Sequence, residues 1–159
     1  MGDVEGFEST ESGASACIPM EAGQIRKGGF IVIKDRPCKV VGVTTSKTGK
    51  HGHAKCHFVA TDIFTGKKLE DLVPSTHGTT VPNVVRVEFT LIDINDEDYL
   101  SLMDEGGDIR EDLKVPDYPD ELAKAIREGF AAQDELILTV VSAMGEEHVM
   151  QCKKNTSEK

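Results

Sequence analysis

GGFIVIKDRPCKVVGVTTSKTGKHGHAKCHFVATDIFTGKKLEDLV, residues 28–73, decides the fold class. Phe30 to Ile33, Cys38 to Thr45, which is rich in valine and threonine, Ala54 to Ile63 and Lys67 to Val73 are short strand-like runs. Between them lie Lys34-Asp35-Arg36-Pro37, the polar stretch Ser46 to His53 with two glycines, and Thr65-Gly66, all of which read as turns. Strands this short with turns this frequent predict a small all-β barrel.

Upstream, the first 16 residues are dominated by Gly, Ser, Glu and Asp with almost nothing to bury, so 1–16 is expected to be a flexible acidic tail, with structure beginning near Cys17. Downstream, Pro74 to Asn83 holds Pro74, Gly78, Pro82, His77 and four Ser/Thr residues, and reads as a linker. The second half then reads as strands over Val84–Ile94, Tyr99–Met103 and Ile109–Val115, a helix over Asp120–Ala132, and strands over Glu135–Ala143 and His148–Lys153. In the helix, Leu122, Ile126 and Phe130 recur on one face, and Asp117, Pro119, Asp120 and Glu121 supply start signals. Five strands with a helix between the third and fourth is the order of an OB-fold. The expected organisation is therefore a tail over 1–16, a basic barrel over 17–83 and an acidic OB-fold over 84–159.

The chain has 159 residues, is 38% hydrophobic and 29% charged, and carries a net charge of -10. No apolar run approaches the roughly 20 residues a membrane span needs. Nothing at the start reads as a signal peptide, and Gly6 stands where a myristoylation signal wants Ser or Thr. Cys17, Cys38, Cys56 and Cys152 lie far apart without a C-x-x-C pair, which favours a reducing compartment, although pairing of two of them stays open on spacing alone. The net charge argues against a nucleic-acid partner only if it is uniform. It is not: residues 1–19 carry -4, residues 20–86 carry +6 and residues 87–159 carry -12. An acidic OB-like barrel is a poor nucleic-acid site, so it is expected to orient the basic half or to contact protein.

Ser46-Lys47-Thr48-Gly49-Lys50-His51-Gly52-His53 is the most unusual stretch, expected at the exposed tip of a hairpin. A phosphate-binding P-loop fails on spacing: six residues separate Gly42 from Gly49, His51 follows Lys50, and no helix comes next. In a metal site from His51, His53, Cys56 and His57, His53 and His57 could share a strand face but Cys56 would then point the other way and His51 would lie on a mobile loop, and adjacency on a strand likewise opposes a Cys56–histidine catalytic pair. A merely solvated loop is the plain alternative. Against it, glycines flank Lys50 closely and leave its approach unobstructed. From the residues alone, this is a protruding lysine loop that meets an anion or an enzyme.

The chain closely resembles the eukaryotic translation initiation factor 5A family, the hypusine-containing translation factors. The resemblance covers nearly the whole chain and rests on TSKTGKHGHAK (Thr45 to Lys55), DIFTGKK (Asp62 to Lys68), PSTH (Pro74 to His77), VPN (Val81 to Asn83), YLSLM (Tyr99 to Met103), REDLK (Arg110 to Lys114) and SAMGEE (Ser142 to Glu147). It implies a mainly β chain, an SH3-like barrel followed by an OB-fold with one helix. It implies that Lys50 is the residue converted to hypusine: deoxyhypusine synthase, which uses NAD, transfers an aminobutyl group from spermidine, and the iron-dependent deoxyhypusine hydroxylase adds a hydroxyl.

The resemblance further implies a cytoplasmic factor, with a nuclear pool left open, that has no catalytic residue, bound cofactor or metal of its own. It would bind the large ribosomal subunit near the exit site, reach the peptidyl-tRNA through modified Lys50, relieve stalling at proline runs and assist termination. Lys47, Thr48, Gly49, His51 and Gly52 would shape the loop and contact RNA. Lys55, Lys67, Lys68, Arg26 and Lys27 are candidates for wider electrostatic contact, or a solvated face, and His53, His57 and His77 are expected to be structural. Gly78-Thr79-Thr80 replaces the Asn-Met-Asp common after PSTH, which bears on linker stiffness, and Asp93 to Asp98 is unusually acidic. A general single-stranded RNA binder is the competing class, opposed by 5% aromatic residues and no tryptophan.

Overall fold

The computed structural model describes residues 17–47 and 54–155; the tail expected over 1–16 lies outside them. The chain divides into two compact units, the first running to Val84 and including Ala143–Gly145, the second formed by residues 85–142 and 146 onward. As expected, the architecture is mainly β with an SH3-like first unit and an OB-fold second unit carrying the α-helix.

The first unit contains β1 (Cys17–Glu21), a 3-10 turn (Ala22–Gln24), β2 (Phe30–Ile33), β3 (Arg36–Lys47), β4 (Ala54–Asp62), β5 (Lys68–Pro74) and β6 (Gly78–Pro82). β2, β3, β4 and β5 form an antiparallel sheet in that order, and β1 pairs with β6 in a second, two-stranded sheet. Period-two alternation puts Cys56, Phe58 and Ala60 of β4 inward, against Ile31, Ile33, Val40 and Val73. The β2–β3 turn is tighter than its composition suggests. Only Lys34 and Asp35 form it, both at positive φ (52° and 64°), the twist a two-residue hairpin needs. Arg36 and Pro37 belong to β3, and Pro37 stands opposite Val32, one pair beyond the turn, where the ladder takes no N–H from it.

The linker expected over Pro74–Asn83 is not one. Pro74 ends β5, His77 donates its N–H to the Pro74 carbonyl at 2.9 Å, and Gly78–Pro82 is strand β6. β6 runs in register with β1 from Glu21↔Gly78 to Cys17↔Pro82, and the Thr79 hydroxyl donates to the Met20 carbonyl at 2.9 Å. The prolines fall at strand ends and the threonines and valine between them suit a pleated surface, so a composition that signals a linker here builds an edge. Gly78-Thr79-Thr80 thus act in this ladder rather than in a hinge.

The second unit contains β7 (Val85–Ile94), β8 (Tyr99–Met103), β9 (Ile109–Lys114), α1 (Asp120–Ala131), β10 (Leu136–Ala143) and β11 (Glu146–Lys154). The sheet order is β9-β8-β7-β10-β11, so consecutive strands pair within each group and β10 returns beside β7, as in an OB-fold. α1 buries Leu122 and Ile126 against Phe89, Leu100, Leu102, Leu138 and Val149, with Phe130 half-buried at the end of the same face. Asp120 and Glu121 place negative charge in its first turn, where the helix dipole favours it.

A guanidinium ties the two ends of this sheet together. Arg110 on β9 donates to Asp112 and to Glu147 on β11, each at 2.7 Å, and lies 5.8 Å from the Phe89 ring centroid. Ser142 on β10 donates to the same Glu147 at 2.9 Å. The hydrogen bonds from Arg110 hold both carboxyls below the usual carboxylate range against the opposing effect of burial. Their contribution to stability is therefore present above about pH 4, the ordinary carboxylate value, and is lost as pH falls through the depressed values. Because Glu147 is 39% exposed and Asp112 61%, solvent screening limits it. Arg110→Ala is expected to cost the second unit about 1–2 kcal/mol at pH 7 in urea unfolding, with the deficit shrinking toward pH 3. A deficit independent of pH would rule out the ion pairs as its source.

Candidate functional site

The lysine loop is carried by the longest hairpin of the first unit. β3 and β4 pair as far as Ser46↔Lys55 and Lys47↔Ala54, so residues 48–53 connect two adjacent, hydrogen-bonded strand ends. On β3, Val40 is buried, but Thr44, Thr45, Ser46 and Lys47 are all exposed, whichever face they point to. The β3 strand therefore runs on past the core to its exposed end, while β4 stays anchored by Cys56, buried opposite Thr45. A bulge at Val41, between the pairs Val40↔Ala60 and Gly42↔Val59, lies where the strand leaves the core. The third strand supports the hairpin nearly to its end: Lys55 pairs with Pro74, and Ser75 donates its N–H to the Ala54 carbonyl at 2.8 Å.

Lys47 is exposed at the end of β3. Thr48, Gly49, Lys50, His51 and Gly52, and His53 beside them, lie outside the described residues. Register separates the cations on either side: Lys47 shares a face with Thr45 and Cys56, whereas Lys55 shares the opposite, outward face with Ser46 and His57. That outward face also holds Lys39 and Lys68, the two partners of Thr61. All three lysines are exposed. Lys39 escaped the sequence reading, though its place between buried Cys38 and Val40 is a strand-alternation signal. Acid on this face is confined near Glu70, which lies 3.0 Å from His57 Nε2 and 3.8 Å from Lys68 Nζ. Arg26, Lys27 and Lys67 are exposed but lie off these strands.

Cys56 is 2% exposed and belongs to the core, while His57 turns outward to Glu70, so the two do not meet. Among the described residues no group of three or more His, Cys, Asp and Glu side chains is placed to hold a metal ion. No helix of the described residues is long and apolar enough to cross a membrane.

The far end of the hairpin is fixed by an ion pair with a buried carboxylate and a half-exposed guanidinium. Asp62, 3% exposed, closes β4 and accepts from Arg36 Nε at 2.6 Å, from the Phe64 N–H at 2.9 Å and from the Thr65 N–H at 3.3 Å. Burial alone would raise its carboxyl, but the Arg36 and backbone donors together outweigh that and hold it below the ordinary range. Burial, and after it the neighbouring Asp62 charge, push the Cys38 thiol up. The local signal was Asp62-Ile63-Phe64-Thr65-Gly66, a side chain that hydrogen-bonds the backbone of its own turn.

Residues 15–77 match the family model described as "Translation initiation factor 5A-like, N-terminal", and residues 83–153 that described as "Eukaryotic elongation factor 5A hypusine, DNA-binding OB fold". The chain is 56% identical over 147 residues to eukaryotic translation initiation factor 5A-1 of Arabidopsis thaliana, covering 92% of each chain. It belongs to the eukaryotic translation initiation factor 5A family. Factor 5A of Dianthus caryophyllus is 57% identical over 152 residues, 95% of this chain and 94% of that one. Among solved structures, a factor 5A family protein from Naegleria fowleri superposes with a TM-score of 0.80 at 49% identity, covering 86% of this chain and 98% of that chain. As a 5A factor the chain is a translation factor, and hypusine is a feature of its family.

Proposed function

We propose that this chain carries hypusine at Lys50 and, through it, acts on the ribosome near the exit site to position peptidyl-tRNA for peptide-bond formation and termination. The observation that carries the reading is the β3–β4 hairpin: sheet-supported, with its β3 strand exposed from Thr44 to Lys47, and with strand ends bridged by the residues of TSKTGKHGHAK. Deoxyhypusine synthase and deoxyhypusine hydroxylase must each take one lysine into an active site, and a loop borne at the end of a slim hairpin offers the least obstruction. The glycines beside Lys50 serve the same end.

The modification gives the side chain length, a second amine and a hydroxyl. Those groups suit hydrogen bonding and charge contact along a phosphate and sugar backbone. Lys47 and the loop residues Thr48, Gly49, His51 and Gly52 contact RNA beside it, and the outward lysines Lys39, Lys55 and Lys68 add longer-range attraction that salt will weaken. The chain performs no bond-making of its own in this scheme. Proline is a rigid donor and a poor nucleophile, so holding the acceptor end of its tRNA in a reactive geometry lowers the entropic part of a barrier whose chemistry belongs to the ribosome. Work at the ribosome makes the factor cytoplasmic.

The direct test is the mass of the Lys50 peptide from protein isolated from a eukaryotic cell that expresses it natively. An added hydroxylated aminobutyl group on Lys50 is expected; unmodified Lys50 in that material would sink the mechanism.

A further inference from the structure

The function proposed above uses the first unit, whereas the acidic barrel presents a separate surface. Register sets four residues side by side across four strands: Ile137 opposite Thr90, Thr90 opposite Met103, and Met103 opposite Ile109. Their chain neighbours Leu138, Phe89, Leu91 and Leu102 fill the core, so the row faces outward. Ile109 is 54% exposed, and Ile92, at the bulge in β7, is 45% exposed. The turn from Met103 to Ile109 carries Asp104, Glu105 and Asp108. Asp93, opposite Ser101, and Glu111, whose carboxylate accepts from the Ser101 hydroxyl at 3.0 Å, lie beside the row.

OB barrels commonly take oligonucleotides on the face of their second and third strands, here β8 and β9. A single-strand site needs a cationic groove and aromatic rings on which bases stack. Over residues 85–114 there are ten Asp/Glu against three Lys/Arg. Of those cations, Arg110 is bound to Asp112 and Glu147, Lys114 lies over the Tyr99 ring at 5.1 Å from its centroid, and Arg86, exposed on β7, donates to Gln151 at 3.2 Å. Tyr99 and Phe89 are the aromatic residues of this stretch, the first covered by Lys114 and the second buried. Phosphates would meet repulsion here and bases would find no open ring. Aliphatic side chains would find an aliphatic row, and ammonium or guanidinium groups would find carboxylates around it.

We propose that the outer β7–β8–β9 face is a docking surface for a protein partner, an extended basic segment that interleaves aliphatic side chains with Lys or Arg. Its aliphatic groups seat on Thr90, Met103 and Ile109, and its cations reach Asp93, Glu105 and Glu111. Burial supplies affinity, and the surrounding negative field speeds encounter and rejects polyanions.

The probes are a ten-residue peptide alternating Lys and Leu, one alternating Lys and Ser, and a ten-nucleotide oligouridine, each titrated at 0.15 M salt into the full-length 15N-labelled chain. The Lys-Leu peptide is expected to shift the amide signals of Thr90, Met103 and Ile109 and to bind about tenfold more tightly than the Lys-Ser peptide. The RNA is expected to leave those signals in place. Ile109→Ser should weaken the Lys-Leu peptide about tenfold. Glu105→Gln with Glu111→Gln, which leaves the apolar row intact, should weaken it several-fold and flatten its salt dependence. Equal binding of the two peptides, shifts confined to other residues, or oligouridine binding on this row would each overturn the proposal.

Discussion

Lys50→Arg is expected to abolish the relief of ribosome stalling at proline runs while leaving the fold and the thermal stability of the chain unchanged. The synthase reaction joins an aminobutyl group to a primary amine. An arginine offers instead a guanidinium whose lone pairs are delocalised and which stays protonated at neutral pH, so it is not a free nucleophile there. The positive charge survives, but the second amine and the hydroxyl are never added. Both hydrophobic cores are built from residues elsewhere in the chain, which is why stability should move by less than about 0.5 kcal/mol. The measurement is synthesis of a reporter containing a proline run, using wild-type and variant proteins made in cells that have both modifying enzymes. Activity is expected to fall at least about tenfold, to the level without added factor, the loss of roughly 1.4 kcal/mol or more of positioning free energy. Full activity of the variant would show that a cation at this position suffices.

The largest effect on stability is expected at Asp62. Asp62→Ala removes the carboxylate that receives Arg36 and two backbone N–H groups at the end of β4. Charge-assisted hydrogen bonds at a site 3% exposed put the loss at about 2–4 kcal/mol, at the lower end because Arg36 is 34% exposed and can recover water. Asp62 has its folded pKa below the unfolded one, so this stability is present above about pH 4 and fades as pH falls through the depressed value. In urea unfolding the gap between wild type and variant should be widest near pH 7 and narrow toward pH 3. A loss under about 0.5 kcal/mol at pH 7 would mean that the pair merely balances its own desolvation. Function should fall only as far as folded protein is lost, in contrast with Lys50→Arg, which separates the two readouts.

Much of this architecture is legible along the chain because its signals are local. Tyr99–Met103 appears at the residues expected, since alternation of Leu100 and Leu102 with more polar neighbours needs no knowledge of a partner. The helix over Asp120–Ala131 follows from Leu122, Ile126 and Phe130 at helical spacing, and its start from Pro119 and two acids. Pro74–Asn83 misleads for the complementary reason. Its residues have weak local preferences, and what makes Gly78–Pro82 a strand is β1, whose Met20 carbonyl receives a hydroxyl 59 residues further on.

The sequence by itself determined the helix and the strands other than β1 and β6, the order that makes the second unit an OB-fold, the split of charge between the two halves and the position of the lysine loop between two strands. Periodicity, turn chemistry and charge are properties of neighbouring residues. The tertiary structure alone decided which strands pair and in what register. From that follow the contact of Arg36 with Asp62, 26 residues away, and the clasp of Arg110 on Glu147, 37 residues away. Register also placed Lys47 and Lys55 on opposite faces of the hairpin and aligned Ile137, Thr90, Met103 and Ile109 into one row. A shift of one residue in any ladder would turn every side chain of that strand to the other face, and nothing within a single strand specifies against which partner it will be set.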